Sequence, residues 1–101
     1  MLKNFKTYQL ATQFHHECLK LKVRALLRDQ LDRASSSIVL NIAEGTGKTT
    51  EKDKRRFYAI ALGSLRESVA ILDLNGQMSS DLAGLSDQLG ACLYRLCHPK
   101  K

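Results

Sequence analysis

The stretch QLDRASSSIVLNIAEGTGKTTEKDKRRFYAIALGSLRE, residues 30–67, decides the fold of this 101-residue chain. Its first half places Leu31, Ala34, Ile38 and Ile42 at intervals of three and four, in line with Leu27 upstream. That spacing makes one apolar stripe on a helix, with Val39 and Ala43 beside it. Gly45 is the expected stop, because glycine enters the left-handed conformation that closes helices at little cost. A further helix is predicted from Thr49 or Thr50. Thr50 with Asp53 resembles a capping box, and Glu51 and Asp53 set negative charge against the helix dipole. Phe57, Ala61, Ser64, Ser68 and Leu72 form one seam of this helix, and Tyr58, Leu62, Leu65 and Val69 form an adjacent one. A helix apolar over so wide an arc must be covered on more than one side.

Between the two helices lies GTGKTT, residues 45–50, which a motif search would take for a phosphate loop. Such a loop needs G-x-x-x-x-G-K-S/T after a buried strand, so that backbone N–H groups cradle the phosphates. With Gly47-Lys48-Thr49 as its tail, the first glycine would fall at Ile42, and a helix rather than a strand precedes it. The stretch therefore reads as a helix end, a turn and a helix start.

Upstream, Phe5, Tyr8, Ala11, Phe14, Cys18 and Leu21 repeat at helical spacing behind Asn4, a good N-cap, and predict a helix over residues 5–22. Neither Pro nor Gly ends it, so the break near residues 22–25 is inferred from phase alone. Downstream, Asn75-Gly76 stops the third helix and Ser79 or Ser80 caps a fourth. Leu82, Leu85, Leu89, Cys92 and Leu96 keep heptad-like spacing on that helix, leaving residues 98–101 as a frayed tail. Four helices joined by short turns predict an all-α, antiparallel up-down-up-down four-helix bundle, one domain over residues 1–101. The composition agrees: 44% hydrophobic but only 6% aromatic residues, with a single Pro, suits packed helices better than a sheet.

No run approaches the ~20 apolar residues of a membrane span, and no signal peptide opens the chain. Cys18, Cys92 and Cys97 form no C-x-x-C pair, and their odd number argues against a disulfide framework. A reduced, cytoplasmic setting without membrane contact is the expectation.

The formal net charge is +6, and residues 1–33 hold seven Lys or Arg against three acids. Such a balance suits a polyanionic partner. The candidate nucleic-acid contacts are Lys48, Lys52, Lys54, Arg55 and Arg56, around the turn and the start of helix three, joined by Arg28 and Arg33. Cations beside a helix start hold phosphates without choosing a sequence. Phe57 and Tyr58 stand among them but fall in the seams, which makes them core rather than stacking platforms. His15 and Cys18 share a helix face, yet two ligands make no metal site, and neither metal nor cofactor is expected. Both histidines of the pair His15-His16 read as surface residues. Glu44 and Glu67 are the acids nearest to apolar positions. Glu44 sits just before a helix end, where the dipole disfavours an anion, and needs a countercharge from Arg33, Lys48 or Arg56. No catalytic arrangement of Ser, His, Cys or acid is visible.

The residues Asp29-Gln30-Leu31-Asp32-Arg33-Ala34, Ser37-Ile38, Asn41-Ile42-Ala43-Glu44-Gly45 and Gly63-Ser64 with Glu67 resemble the four-helix-bundle proteins of ribosomal intervening sequences. Phe5 and Tyr8-Gln9-Leu10-Ala11 match the usual opening, so the resemblance runs over nearly the whole chain. It implies an antiparallel bundle that assembles into a ring-like homopentamer without catalytic activity. Related bundles are accessory proteins of diversity-generating retroelements, and imply RNA or DNA and a reverse transcriptase as partners. One departure is clear: the proline that usually turns helix one into helix two is missing. Asn41, Glu44, Gly45, Gly63, Ser64 and Glu67 are then expected where helices two and three meet each other or a neighbouring subunit. The alternative is a purely structural or protein-interaction bundle that ignores nucleic acid.

Overall fold

The computed structural model describes residues 2–100. A 3-10 turn at Leu2–Asn4 precedes four helices: α1 (Lys6–Lys20), α2 (Ala25–Thr46), α3 (Glu51–Asn75) and α4 (Ser80–Cys97). No strand occurs among the described residues. α2 packs on α1 and α3, and α4 closes the arrangement against α3 and α1, which makes the four-helix bundle that the periodicity predicts. Ser37 meets Ser64 while Thr46 meets Tyr58, so α2 and α3 run antiparallel. With 25 residues, α3 spans about 37 Å at 1.5 Å per residue, close to the 41 Å long axis of the molecule. Among the described residues, no helix is long and apolar enough to cross a membrane.

Each helix turns its stripe inward. Leu10, Phe14 and Cys18 of α1 meet Leu31, Ile38 and Ile42 of α2, Leu65 and Leu72 of α3, and Leu89 and Leu93 of α4. Each large side chain buried this way stabilises the fold by roughly 1.5–3 kcal/mol. Burial also pushes the Cys18 thiol up to about 12, which makes it an inert core group.

The caps at Thr50 and Ser79 form as predicted, with Asp53 N–H and Leu82 N–H each donating to the cap hydroxyl at 3.1 Å. Gly76 is left-handed (φ 70°) and closes α3, with Gln77 N–H donating to the Leu72 carbonyl at 3.0 Å. Asn4 does not cap α1. The Gln9 amide reaches back to the Lys3 carbonyl at 2.8 Å, the turn closes, and Phe5 becomes the residue before the helix.

Gly45 does not stop α2 either. The helix runs on to Thr46, and Gly47 follows with a right-handed backbone (φ −81°). GTGKTT is therefore the last turn of α2 and the link to the cap of α3. α1 ends at Lys20, two residues earlier than expected, and its end is set from a distance. The Arg28 guanidinium donates to the carbonyl of Leu21 (2.9 Å) and adds a second donor to that of Cys18 (3.0 Å), which also accepts from Leu21 N–H at 3.3 Å. Asn75, at the far end of α3, accepts from Arg24 N–H at 3.1 Å and donates to the Lys22 carbonyl at 3.3 Å. These side chains do the work of the missing proline. At the other terminus, His98 is not frayed: its N–H donates to the Tyr94 carbonyl at 3.0 Å. Lys101, the last residue of the expected tail, lies outside the described residues.

Candidate nucleic-acid interface

The α2–α3 link sets Lys48, Lys52, Lys54, Arg55 and Arg56 at one end of the bundle, and the structure sorts them into two kinds. Lys48 and Lys54 are engaged internally. The Lys48 ammonium lies 3.1 Å from the Glu44 carboxylate and 5.1 Å from the centre of the Phe57 ring. The Lys54 ammonium donates to the Thr46 carbonyl at 3.1 Å, placing positive charge where the α2 dipole is negative. Lys48 is thus the countercharge that Glu44 requires, and both lysines lock the turn.

Lys52, Arg55 and Arg56 instead line a groove of about 500 Å³ between α3 and α4. They are joined there by Arg66, since Lys52, Arg55, Ala59, Leu62 and Arg66 recur every three or four residues and share one side of α3. Among the described residues, no carboxylate lies within ion-pair distance of these four cations. Arg56 also rests over Phe57, 5.0 Å from the ring centre. The opposite wall is the last turn of α4, with Tyr94 and Cys97, and the capping residue His98. Burial raises the Cys97 thiol, with Arg66 pulling it the other way, so the groove holds a protonated thiol rather than a nucleophile. The groove continues between Leu62, Val69 and Gly90 toward Asp87, with Arg66 and Tyr94 at the junction.

Arg28 and Arg33 stand apart from this end. Arg28 is bound to Cys18 and Leu21 and also to Asp32, 3.0 Å from Nε. Arg33 is exposed midway along α2, some fifteen residues or about 22 Å from Lys48 along the helix axis.

The second expected cluster lies along α2 and α3. Asn41 donates to the Ser37 carbonyl (2.8 Å) and hydroxyl (3.0 Å), Ser37 and Ser64 share a hydrogen bond of 2.9 Å, and Ser68 donates to the Ser64 carbonyl at 2.9 Å. These groups, half-buried at Ser37, Asn41 and Ser64 and fully buried at Ser68, are satisfied within one chain. Gly45 is buried, and a Cβ there would lie 2.9 Å from Tyr58. Gly63 faces open space, and Glu44 and Glu67 are exposed, so none of these three fills the helix–helix seam of the single chain.

What the outer face of α2 and α3 does carry is a ladder. Leu26, Arg33 and Leu40 repeat every seven residues on α2, and Ile60, Glu67 and Leu74 do so on α3. The antiparallel register that pairs Ser37 with Ser64 sets Leu26 by Leu74, Arg33 by Glu67 and Leu40 by Ile60. Arg33 and Glu67 line one shallow depression at its centre. Leu26 and Leu74 are 79% and 77% exposed, the most open large apolar side chains described.

Reading the residues alone missed Arg66, Tyr94 and His98, and missed the four apolar rungs. The signals were present. An up-down-up-down bundle brings the end of α4 beside the start of α3, and the heptad spacing on α2 and α3 is visible once the inward stripe is subtracted.

No curated protein and no solved structure is significantly similar to the chain. Residues 3–93, from the turn before α1 to the last turns of α4, match the family described as 23S rRNA-intervening sequence protein, and the chain belongs to that family.

Proposed function

We propose that the protein is a non-enzymatic, homo-oligomeric bundle that binds RNA or DNA through the basic end of the α3–α4 groove. The observation that carries this reading is the set Lys52, Arg55, Arg56 and Arg66, four cations on one wall without a carboxylate partner among the described residues. Phosphates arriving there release condensed counterions, which gives affinity without sequence choice. The test is binding to labelled RNA and DNA, single-stranded and duplex, across a salt series. Affinity falling steeply with salt is expected, and absence of binding at low salt overturns the reading in favour of a purely structural bundle.

Assembly rests on the outer ladder. Four open apolar side chains in two helices, with an Arg and a Glu between them, form a surface that water leaves poorly satisfied and that a second copy can cover. The resemblance to bundles of ribosomal intervening sequences adds the expected number, five. Mass measured in solution tests it: five copies are expected, and a monomer at micromolar concentration overturns the assembly.

A further inference from the structure

The α3–α4 groove holds something that phosphate binding does not use. Tyr94 in the last turn of α4 and His98, the residue that follows the helix, stack with ring centres 4.2 Å apart and planes inclined by 29°. His98 Nδ1 lies 3.0 Å from the Tyr94 carbonyl, which can only accept, so Nδ1 carries the proton and the imidazole is pinned to the helix end. The pair is therefore held rigid on the backbone, yet Tyr94 remains 55% exposed. A large aromatic ring left open beside cations that have no carboxylate partner among the described residues is the combination that single-strand binders use, with backbone tracked by charge and bases laid on rings.

We propose that this groove takes an unpaired nucleotide of a single strand, its base continuing the Tyr94–His98 stack and its phosphates lying on Lys52, Arg55 and Arg66. The inference rests on the nucleic-acid reading above and names the form of nucleic acid. Duplex bases are already stacked on each other and present only phosphates, so a duplex can use the cations but not the rings. The groove also sets a direction. Beyond Tyr94 it becomes apolar, between Leu62, Val69 and Gly90, and ends at Asp87, whose charge turns a phosphate away while the apolar walls accept a base face. At about 500 Å³ for the basic part and about 350 Å³ for the apolar part, each lies within the size range of small-ligand sites. An acidic peptide would satisfy the cations but would gain nothing from an aromatic stack. Tyr94 and His98 follow residues 3–93, so the family match carries no reading of them.

The experiment measures affinity for a single strand and for the duplex of the same sequence, with a fluorescent base analogue in the single strand to report stacking. The proteins compared are the natural chain, Tyr94→Leu, Tyr94→Trp and the double change Lys52→Glu with Arg55→Glu. The expected result is that Tyr94→Leu weakens single-strand binding roughly ten-fold, abolishes quenching of the analogue and leaves duplex binding unchanged. Tyr94→Trp keeps both properties, and the charge reversal weakens both ligands. Equal affinity of Tyr94→Leu and the natural chain for the single strand, with the charge reversal still effective, overturns the stacking site and leaves the nucleic-acid reading standing. So does an acidic peptide that displaces the strand equally well from Tyr94→Leu and the natural chain. Absence of all binding at low salt overturns both.

Discussion

A Cβ built on Gly45 would lie 2.9 Å from Cε1 of Tyr58, closer than real side chains come. Gly45 is needed for contact between helices and not for a backbone turn. The Tyr58 ring is buried and its hydroxyl lies 3.3 Å from Thr46, so it cannot move aside freely. Gly45→Ala is expected to cost about 1–3 kcal/mol in overpacking, offset by about 1 kcal/mol of helix propensity. The net loss of about 1 kcal/mol lowers the unfolding midpoint by roughly 5 °C. Gly84, where a Cβ meets nothing within 4 Å, is the control, and Gly84→Ala should raise the midpoint.

Arg28 holds the end of α1 with a fork of donors that lysine cannot reproduce. Removing it takes from the Leu21 carbonyl its side-chain donor and leaves Cys18 with Leu21 N–H alone, at about 2 kcal/mol. Chemical denaturation should show this loss for Arg28→Met and most of it for Arg28→Lys, with nucleic-acid affinity unchanged wherever the protein stays folded.

His15 is half-buried and shares a 2.7 Å hydrogen bond with Ser35, so it is not the surface histidine that its neighbours suggest. Burial lowers its imidazole from the ordinary 6.5, His16 and Arg28 act the same way, and Asp32 opposes them. Below 6.5 the unfolded chain takes up a proton that the folded chain resists. Stability is then fully present above 6.5 and declines as pH falls through that value toward the lower folded one. Thermal midpoints across this range should drop more for the natural chain than for His15→Gln; equal drops would assign the acid sensitivity elsewhere.

Charge reversal separates the two kinds of lysine at the α2–α3 link. Lys52→Glu together with Arg55→Glu should reduce the slope of log affinity against log salt by about 1.4–1.8, the value for two phosphate contacts, with the unfolding midpoint little changed. Lys54→Glu should do the opposite first, lowering the midpoint, because it sets a negative charge against the Thr46 carbonyl.

The outer ladder is checked with Leu40→Lys and Ile60→Lys. Both side chains are exposed in the single chain, so each variant should retain its circular dichroism while its mass in solution falls toward that of one copy. Unchanged mass would remove these rungs from any subunit contact.

Much of this was legible in the residues. Leu27, Leu31, Ala34, Ile38 and Ile42 announce α2, and Thr50, Ser79 and Gly76 mark boundaries because each acts on groups within a few residues. The failures have one cause, which is control from outside the local window. Gly45 obeys Tyr58, thirteen residues on, rather than the habit of glycines at helix ends. The end of α1 obeys Arg28 and Asn75. In the basic cluster, charge could be counted but not its use: Lys48, Lys54 and Arg28 have partners in the fold, while Lys52 and Arg55 have no carboxylate partner among the described residues. Tyr94 was passed over because its own helix gives it no role, and only the neighbouring wall of α3 does.

Asn75 bonds across 51 and 53 residues to the link between α1 and α2. The first bend of the chain is therefore completed by a residue made near the third helix's end. During synthesis the Arg28 contacts can form once α1 and α2 have emerged, but the Asn75 contacts to Lys22 and Arg24 wait until α3 has folded back along α2 and delivered its last turn.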